Sequence, residues 1–146
     1  MPDKPTPTER ELEILNVLWD RGEATVRDVY EELRTRLPIV QNTVQAFLRT
    51  MEDKGLVQHR TEGRTFIYRP AYERQKTTQR LAEQLLERAF GGAIDQLVQS
   101  VLSVRQPTRD ELAKLEELIA LAKAKKPKAS KNATRNSLPK NAEQSP

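Results

Sequence analysis

Residues 37–70, LPIVQNTVQAFLRTMEDKGLVQHRTEGRTFIYRP, contain a helical apolar repeat followed by two short alternating segments. The repeat predicts a helix over residues 41–54, and Gly55 is typical of a helix C-terminus. The buried face of this helix is predicted at Val44, Phe47, Leu48 and Met51. The alternation predicts strands at residues 56–60 and 65–69, joined by a turn that contains glycine. A helix followed directly by a hairpin is typical of a winged helix-turn-helix domain.

Two capping boxes predict helices before this segment. Thr8 is followed by Glu11, and Thr25 by Asp28, so that each hydroxyl and each carboxylate can pair with a free backbone N–H group. The second helix is predicted to continue to Pro38, because the residue before a proline avoids the helical conformation. Apolar stripes support both helices: Leu12, Leu15, Leu18 and Trp19, with Ile14 on the flank, and then Val26, Val29, Tyr30, Leu33 and Leu37.

Three further helices are predicted after residue 72. They cover residues 72–89 and 93–104 and a segment that begins with a third capping box at Thr108. Each has one apolar face and few aromatic residues, so pairing with a second copy of the chain is the economical way to bury these faces. The predicted dimer contacts are Leu81, Leu85, Leu97, Val98, Val101, Leu112, Leu115 and Ile119.

The fold class is therefore mainly α, a winged helix-turn-helix of three helices and a two-stranded wing with a C-terminal helical domain. We predict a winged-helix DNA-binding domain at residues 6–71, a helical dimerisation domain at residues 72–124 and a basic disordered tail at residues 125–146. The tail is either a solubilising extension or a cationic arm that adds nonspecific DNA affinity.

Composition and charge narrow the functional classes. The chain has 146 residues, no cysteine and 5% aromatic residues, which suits a small domain with no disulfide or thiolate site. Residues 123–146 carry a net charge of +6, and the whole chain carries +4, so residues 1–122 sum to −2. Any DNA-binding surface must therefore depend on local charge. The sequence shows no apolar leader and no membrane-length apolar run, which predicts a cytoplasmic protein without stable membrane association.

The local charge favours DNA binding around the third helix. No acidic residue lies between Glu32 and Glu52, whereas several arginines do. Asparagine and glutamine can pair with adenine, and arginine with guanine or phosphate. The predicted DNA contacts are Asn42, Thr43, Gln45, Ala46 and Arg49 in the helix and Arg60 and Arg64 in the wing. The alternative for the helix is an ordinary solvated polar face.

Catalytic and metal chemistry find no support. His59 is the single histidine, and with no cysteine or acidic cluster beside it a metal site is not expected. The sequence places no nucleophile beside a base and has no glycine-rich phosphate loop. We predict neither enzyme activity nor a cofactor. We expect Trp19 to lie in the core and His59 to serve in packing or at the surface.

Four segments carry a resemblance to a known family: PTPTERELEILNVLWDRGEATVRDVYEEL, NTVQAFLRTMEDKGLV, EGRTFIYRP and AFGGAIDQLVQSVLSV. Over residues 6–122 the chain resembles the penicillinase-repressor (BlaI/MecI-type) family of winged-helix regulators. The resemblance implies a transcriptional repressor that binds double-stranded operator DNA as a homodimer on a palindromic site. In some members a membrane-bound sensor protease cuts the repressor, and the matching bond here joins Ser100 and Val101. The family pattern has phenylalanine at the second position, where this chain has Val101. The sequence therefore leaves open whether this bond is cleaved.

Two other functions remain open from the residues. One is a winged-helix regulator with a small-molecule effector at the dimer interface, which a pocket lined by Trp19, Tyr72 and Phe90 would favour. The other is a protein-interaction adaptor, which would need an acidic or apolar outer face on the third helix.

Overall fold

The computed structural model describes residues 5–125, which form helices and one antiparallel pair of strands. The elements are α1 Glu9–Arg21, α2 Val26–Leu33, α3 Gln41–Asp53, β1 Val57–Glu62, β2 Thr65–Pro70, α4 Arg74–Phe90, α5 Ile94–Val104 and α6 Arg109–Ala124. This order confirms the predicted winged helix-turn-helix followed by three helices. The predicted basic tail, apart from Lys125, lies outside the described residues.

The chain divides into two compact units, and the division falls inside α4, between Gln84 and Leu85. The first unit contains α1 to α3, the hairpin and the start of α4. The second contains the end of α4 together with α5 and α6. The first turns of α4 thus pack with the winged helix, although the predicted boundary of the DNA-binding domain lies at residue 71.

The predicted capping boxes begin three of the helices. At α1 the amide of Glu11 donates to Thr8 Oγ1 over 3.3 Å, and the amide of Thr8 donates to Glu11 Oε1 over 2.9 Å. The same reciprocal pair of hydrogen bonds forms at α2 and at α6, between Thr25 and Asp28 and between Thr108 and Glu111. These helix starts were predictable because both partners lie within one turn of the chain.

The core of the first unit is formed by α1, α2, α3 and the hairpin. Its buried apolar residues are Ile14, Leu15, Val17, Leu18, Ala24, Val29, Leu33, Val44, Leu48, Met51, Leu56, Val57 and Tyr68. The predicted face of α1 was partly wrong, since Ile14 and Val17 are buried whereas Leu12 and Trp19 are half-buried. The reason is that α1 packs against both α2 and β2, which buries a wider arc than one stripe.

Two other boundaries differ from the prediction. Helix α2 ends at Leu33, about one turn before Pro38, because residues 34–36 form a turn that returns a hydrogen bond to the Leu33 carbonyl. The hairpin is also longer than predicted: Thr61 and Glu62 pair with β2. The chain can reverse within two residues because Gly63 adopts φ +64°, a left-handed conformation that glycine accepts without strain.

An ion pair between a buried carboxylate and an exposed lysine joins the start of α1 to the end of α3. Glu11 is only 3% exposed, and Lys54 Nζ donates to its Oε1 over 2.7 Å. Burial by itself would raise the pKa of the Glu11 carboxyl, but the hydrogen bonds from Lys54 and Thr8 outweigh it and lower the pKa below its usual 4.5. The carboxylate therefore stabilises both the helix cap and the contact between the two helices.

We expect Glu11→Gln to lower the free energy of unfolding by about 1–2 kcal/mol near neutral pH. The amide keeps an acceptor for the cap but loses the charge that faces Lys54. Because the folded pKa lies below 4.5, the stabilisation is complete above that pH and is lost as the pH falls through the folded pKa. Urea unfolding at a series of pH values should show that acidification lowers the free energy of unfolding less in the variant than in the unchanged protein.

The matched control is Glu9→Gln, which removes an exposed carboxylate from the same first turn. It should change the free energy of unfolding by less than about 0.5 kcal/mol. Equal losses in the two variants would contradict a specific role for the Glu11–Lys54 pair.

Candidate nucleic-acid interface

An open groove of about 560 Å³ lies between the start of α2, α3 and the wing. Its lining residues are Thr25, Val26, Arg27, Gln41, Gln45, Arg49, Arg64, Thr65, Phe66 and Tyr68. Three of them are arginines, and none carries a carboxylate. A groove with this charge is suited to a polyanionic strand.

Helix α3 separates a core face from an exposed face. Val44, Leu48 and Met51 are fully buried, which anchors the helix on the first unit. All five DNA contacts predicted for the helix are exposed: Asn42, Thr43, Gln45, Ala46 and Arg49. Gln45 and Arg49 line the groove, while the other three lie on the exposed surface outside it. The structure therefore brings only part of the predicted set together with the wing.

Ion pairs occupy four of the seven basic residues between positions 34 and 69. Arg34 pairs with Glu31, Arg36 with Glu13, Lys54 with Glu11, and Arg60 with Glu23 and Glu62. Within residues 5–125, Arg49, Arg64 and Arg69 form no ion pair. Two of these three, Arg49 and Arg64, line the groove. The positive charge that remains free is thus concentrated on one surface.

Arg60 and Arg64 occupy different positions although both were predicted to contact DNA. The Arg60 guanidinium donates to Glu62 and to Glu23, over 2.9 Å each, and these bonds raise its pKa above the usual value. Arg60 is not among the residues that line the groove, whereas Arg64 is. Arg64 therefore faces the groove, whereas Arg60 links the wing to the segment before α2.

An aromatic cluster lies on the wing. The rings of His59 and Phe66 stack at a centroid distance of 4.0 Å, with 15° between their planes. His59 Nδ1 lies 2.7 and 2.8 Å from the two carboxylate oxygens of Glu52 on α3. The ring of Tyr68 also lies beside the rings of His59 and Phe66. Burial, and then the charge of Glu52, raises the pKa of Tyr68. His59 therefore serves in packing, as expected, and no group of three or more possible metal ligands occurs within the described residues.

Sequence reasoning missed several residues of the groove. Val26, Arg27 and Gln41 line it. All three lie in the first turn of α2 or α3, and of them only Val26 belonged to a predicted apolar stripe, where it was assigned to packing. Phe66 shares one face of β2 with Tyr68, which belongs to the core. Phe66 is 46% exposed and lines the groove instead, because the core ends at Tyr68. Only the position of the hairpin on the core could reveal this.

The second unit exposes its apolar faces. Neither α5 nor α6 contains a buried residue in the single chain. Of the predicted dimer contacts, five are exposed and three are half-buried; the exposed ones are Leu85, Val98, Val101, Leu112 and Ile119. The prediction followed one stripe per helix and omitted further exposed apolar residues: Ile94, Leu102, Val104, Leu118 and Leu121.

The junction of α5 and α6 is held by a double hydrogen bond. The Arg105 guanidinium donates to both oxygens of Glu111, over 2.9 and 2.7 Å. This pair, together with the capping amide of Thr108, lowers the pKa of Glu111 to about 2. The carboxylate is therefore charged across the physiological range.

The geometry gives little support to the two alternative functions, a regulator with a small-molecule effector and a protein-interaction adaptor. Trp19 and Tyr72 line a shallow groove of about 370 Å³, while Phe90 lines a separate cleft of the second unit. Trp19 Nε1 donates to the Tyr72 carbonyl over 2.9 Å, and the guanidinium of Arg74 covers its ring. The exposed face of α3 is polar and carries one arginine and one aspartate, Arg49 and Asp53, so it is neither the acidic nor the apolar face of an adaptor.

Within residues 5–125 no helix is both long enough and apolar enough to cross a membrane. The profile of the family described as Penicillinase repressor matches residues 7–121. The chain is 25% identical to the penicillinase repressor of Bacillus licheniformis over 84% of its own length and 95% of that protein. It is 17% identical to the methicillin resistance regulatory protein MecI of Staphylococcus aureus, over 75% and 89% of the two chains.

Among solved structures, the Bacillus licheniformis BlaI monomeric form in complex with the blaP half-operator is 29% identical, with a TM-score of 0.45. The match covers 51% of this chain and 92% of that one. The profile match spans the winged helix and most of α4 to α6. The chain therefore belongs to the penicillinase repressor family, whose members are DNA-binding transcriptional repressors and not enzymes.

Proposed function

We propose that this repressor places α3 in the major groove of its operator and rests the wing on the adjacent DNA backbone. The observation that carries the proposal is the groove between α3 and the wing, which Arg49 and Arg64 line without an ion pair within the described residues. A duplex presents base edges to a helix and phosphates to the flanking elements. The exposed polar face of α3 is suited to the base edges, and the cationic side of the wing is suited to the phosphates.

Individual residues are assigned by chemistry. Gln45 and Asn42 are suited to adenine edges, Arg49 to guanine or phosphate, and Thr43 to phosphate or a thymine methyl group. Ala46 leaves room for close approach of α3. Arg64 is assigned to phosphate, while Arg60 holds the wing through its two carboxylate partners.

The working form is a homodimer on a palindromic operator, paired through the second unit. The exposed apolar faces of α5 and α6 support this, because large apolar patches on a single chain mark interaction surfaces. Each copy alone makes few DNA contacts. In a dimer, binding of one copy raises the effective concentration of the second DNA-binding domain at its half-site. Repression follows from occupying promoter DNA in the cytoplasm, and release follows from losing the dimer.

A membrane-bound sensor protease is one route to release. The candidate bond between Ser100 and Val101 lies in α5, and both residues are exposed in the single chain. A cut at this position would divide α5 and remove the continuous face that pairs the two copies. Because the bond is helical, the protease would need α5 to unwind locally before it could bind the backbone in an extended form.

The DNA-reading assignment is tested with Arg49→Ala and Gln45→Ala. Binding to a labelled duplex from the repressor's own promoter, measured by fluorescence anisotropy, should weaken about 5- to 150-fold for each variant. The matched control is Arg34→Ala, an exposed arginine that is paired with Glu31 and lies outside the groove. If both α3 variants bind the duplex as tightly as the unchanged protein, the assignment of α3 as the recognition helix is wrong.

A further inference from the structure

Phe66 is an exposed aromatic residue on the wall of the groove. Its side chain is 46% exposed, whereas Tyr68, two residues along the same strand, is 3% exposed and belongs to the core. The core therefore does not explain the position of the Phe66 ring. The ring lies on the wing side of the groove, across from the polar residues Gln45 and Arg49 of α3.

A chain of specific contacts holds the Phe66 ring in place. In the hairpin register Thr61 pairs with Phe66 and His59 pairs with Tyr68, so His59 and Phe66 are diagonal neighbours on one face. Their rings stack at 4.0 Å, and the His59 ring is itself anchored to Glu52 of α3. The orientation of the exposed ring is thus tied to the helix that forms the opposite wall.

The groove combines two kinds of chemistry that a DNA strand also combines. Arg27, Arg49 and Arg64 supply cationic groups, while Val26 and Phe66 supply apolar surface. A single strand of a duplex alternates phosphates with apolar deoxyribose rings. With α3 in the major groove, the strand that borders that groove would pass between α3 and the wing. The wing would then meet sugar and phosphate rather than base edges.

We propose that Phe66 packs against a deoxyribose of the strand lying in this groove, and that His59 and Glu52 are positioning residues for the ring. The inference rests on the proposed binding of operator DNA by α3 and the wing. It assigns to the wing an apolar contact that adds affinity without adding charge. Such a contact supports binding at ionic strengths that screen the arginines.

The test compares Phe66→Ala with Arg64→Ala in salt titrations on the promoter duplex. Phe66→Ala should weaken binding about 5- to 30-fold at every salt concentration, because apolar contact area is lost. Its slope of log affinity against log salt should equal that of the unchanged protein. Arg64→Ala should instead reduce the steepness of that slope by about 0.9, the value expected for one phosphate contact. Phe66→Leu should keep most of the affinity.

Two outcomes would overturn the sugar contact. If Phe66→Ala also lowers the salt slope, the ring only holds Arg64 or the wing. If replacing the thymines of the duplex by uracil weakens binding of the unchanged protein but not of Phe66→Ala, the ring contacts a base methyl group instead. Thermal unfolding of each variant shows whether the first unit stays folded, which the exposure of Phe66 leads us to expect.

The positioning role is tested with a double-mutant cycle. His59→Ala should weaken binding with an unchanged salt slope, and adding it to Phe66→Ala should cause little further loss. Fully additive losses would show that His59 acts independently of the ring. Should Arg49→Ala and Gln45→Ala leave binding intact, the proposed function fails. Should they weaken it while Phe66→Ala does not, only the present inference fails.

Discussion

Replacing Val98 and Val101 together by glutamate is expected to convert the repressor to a monomer and to weaken operator binding by about 100-fold or more. Both side chains are exposed in the single chain, and they lie on the apolar side of α5. In a dimer that buries this side, each glutamate would place an unpaired carboxylate in an apolar contact, which is strongly unfavourable. Light scattering after size-exclusion chromatography measures the first effect, and anisotropy titration measures the second.

The control for this variant is the pair Gln96→Glu and Ser103→Glu. Helical periodicity places these residues on the other side of α5, so the same added charge should leave the dimer intact. The Val98 and Val101 variant should still bind a half-operator as tightly as the unchanged first unit does. A variant that stays dimeric, or a monomer that binds the full operator with undiminished affinity, would contradict pairing through this face.

Leu48→Ala is expected to lower the free energy of unfolding of the first unit by about 2–5 kcal/mol. Leu48 is fully buried on the core face of α3, where truncation leaves a cavity between the helix and its neighbours. Domains of this size are stable by only about 5–15 kcal/mol, so the loss is a large share of the total. Urea unfolding followed by circular dichroism measures it, and an unchanged m-value would indicate that the substitution alters stability and not the surface exposed on unfolding.

Thr50→Ala is the matched surface truncation on the same helix, because Thr50 is exposed. It should change the free energy of unfolding by less than about 0.5 kcal/mol. A loss of under about 1 kcal/mol for Leu48→Ala would mean that α3 is not anchored through this side chain. DNA affinity of the folded fraction should be nearly unchanged, since Leu48 points away from the exposed face.

The helices and the hairpin were largely predictable because the signals that specify them are local. Each capping box closes within three residues, and the apolar faces repeat within one or two turns. The errors occurred where packing overrides the local pattern. Helix α1 buries Val17 because it contacts two neighbours, and α2 ends before Leu37 because a turn leads the chain into α3.

The candidate DNA surface was predicted in outline but not in composition. The residue types of α3 and the absence of acids from that window indicated α3, and two of its residues, Gln45 and Arg49, line the groove. The window did not show that Arg34, Arg36 and Arg60 have carboxylate partners, whereas Arg49 and Arg64 line the groove. Nor did it show that Phe66 lies outside the core.

By itself, the sequence determined most of the secondary structure, the family and the existence of unburied apolar faces after residue 84, since all three depend on neighbouring residues and their spacing. Only the tertiary structure decided which charges remain available for DNA. Arg36 meets Glu13, Lys54 meets Glu11 and Arg60 meets Glu23 across separations of 23, 43 and 37 residues. An ion pair depends on distance in space, and folding brings these distant partners within 3 Å of each other.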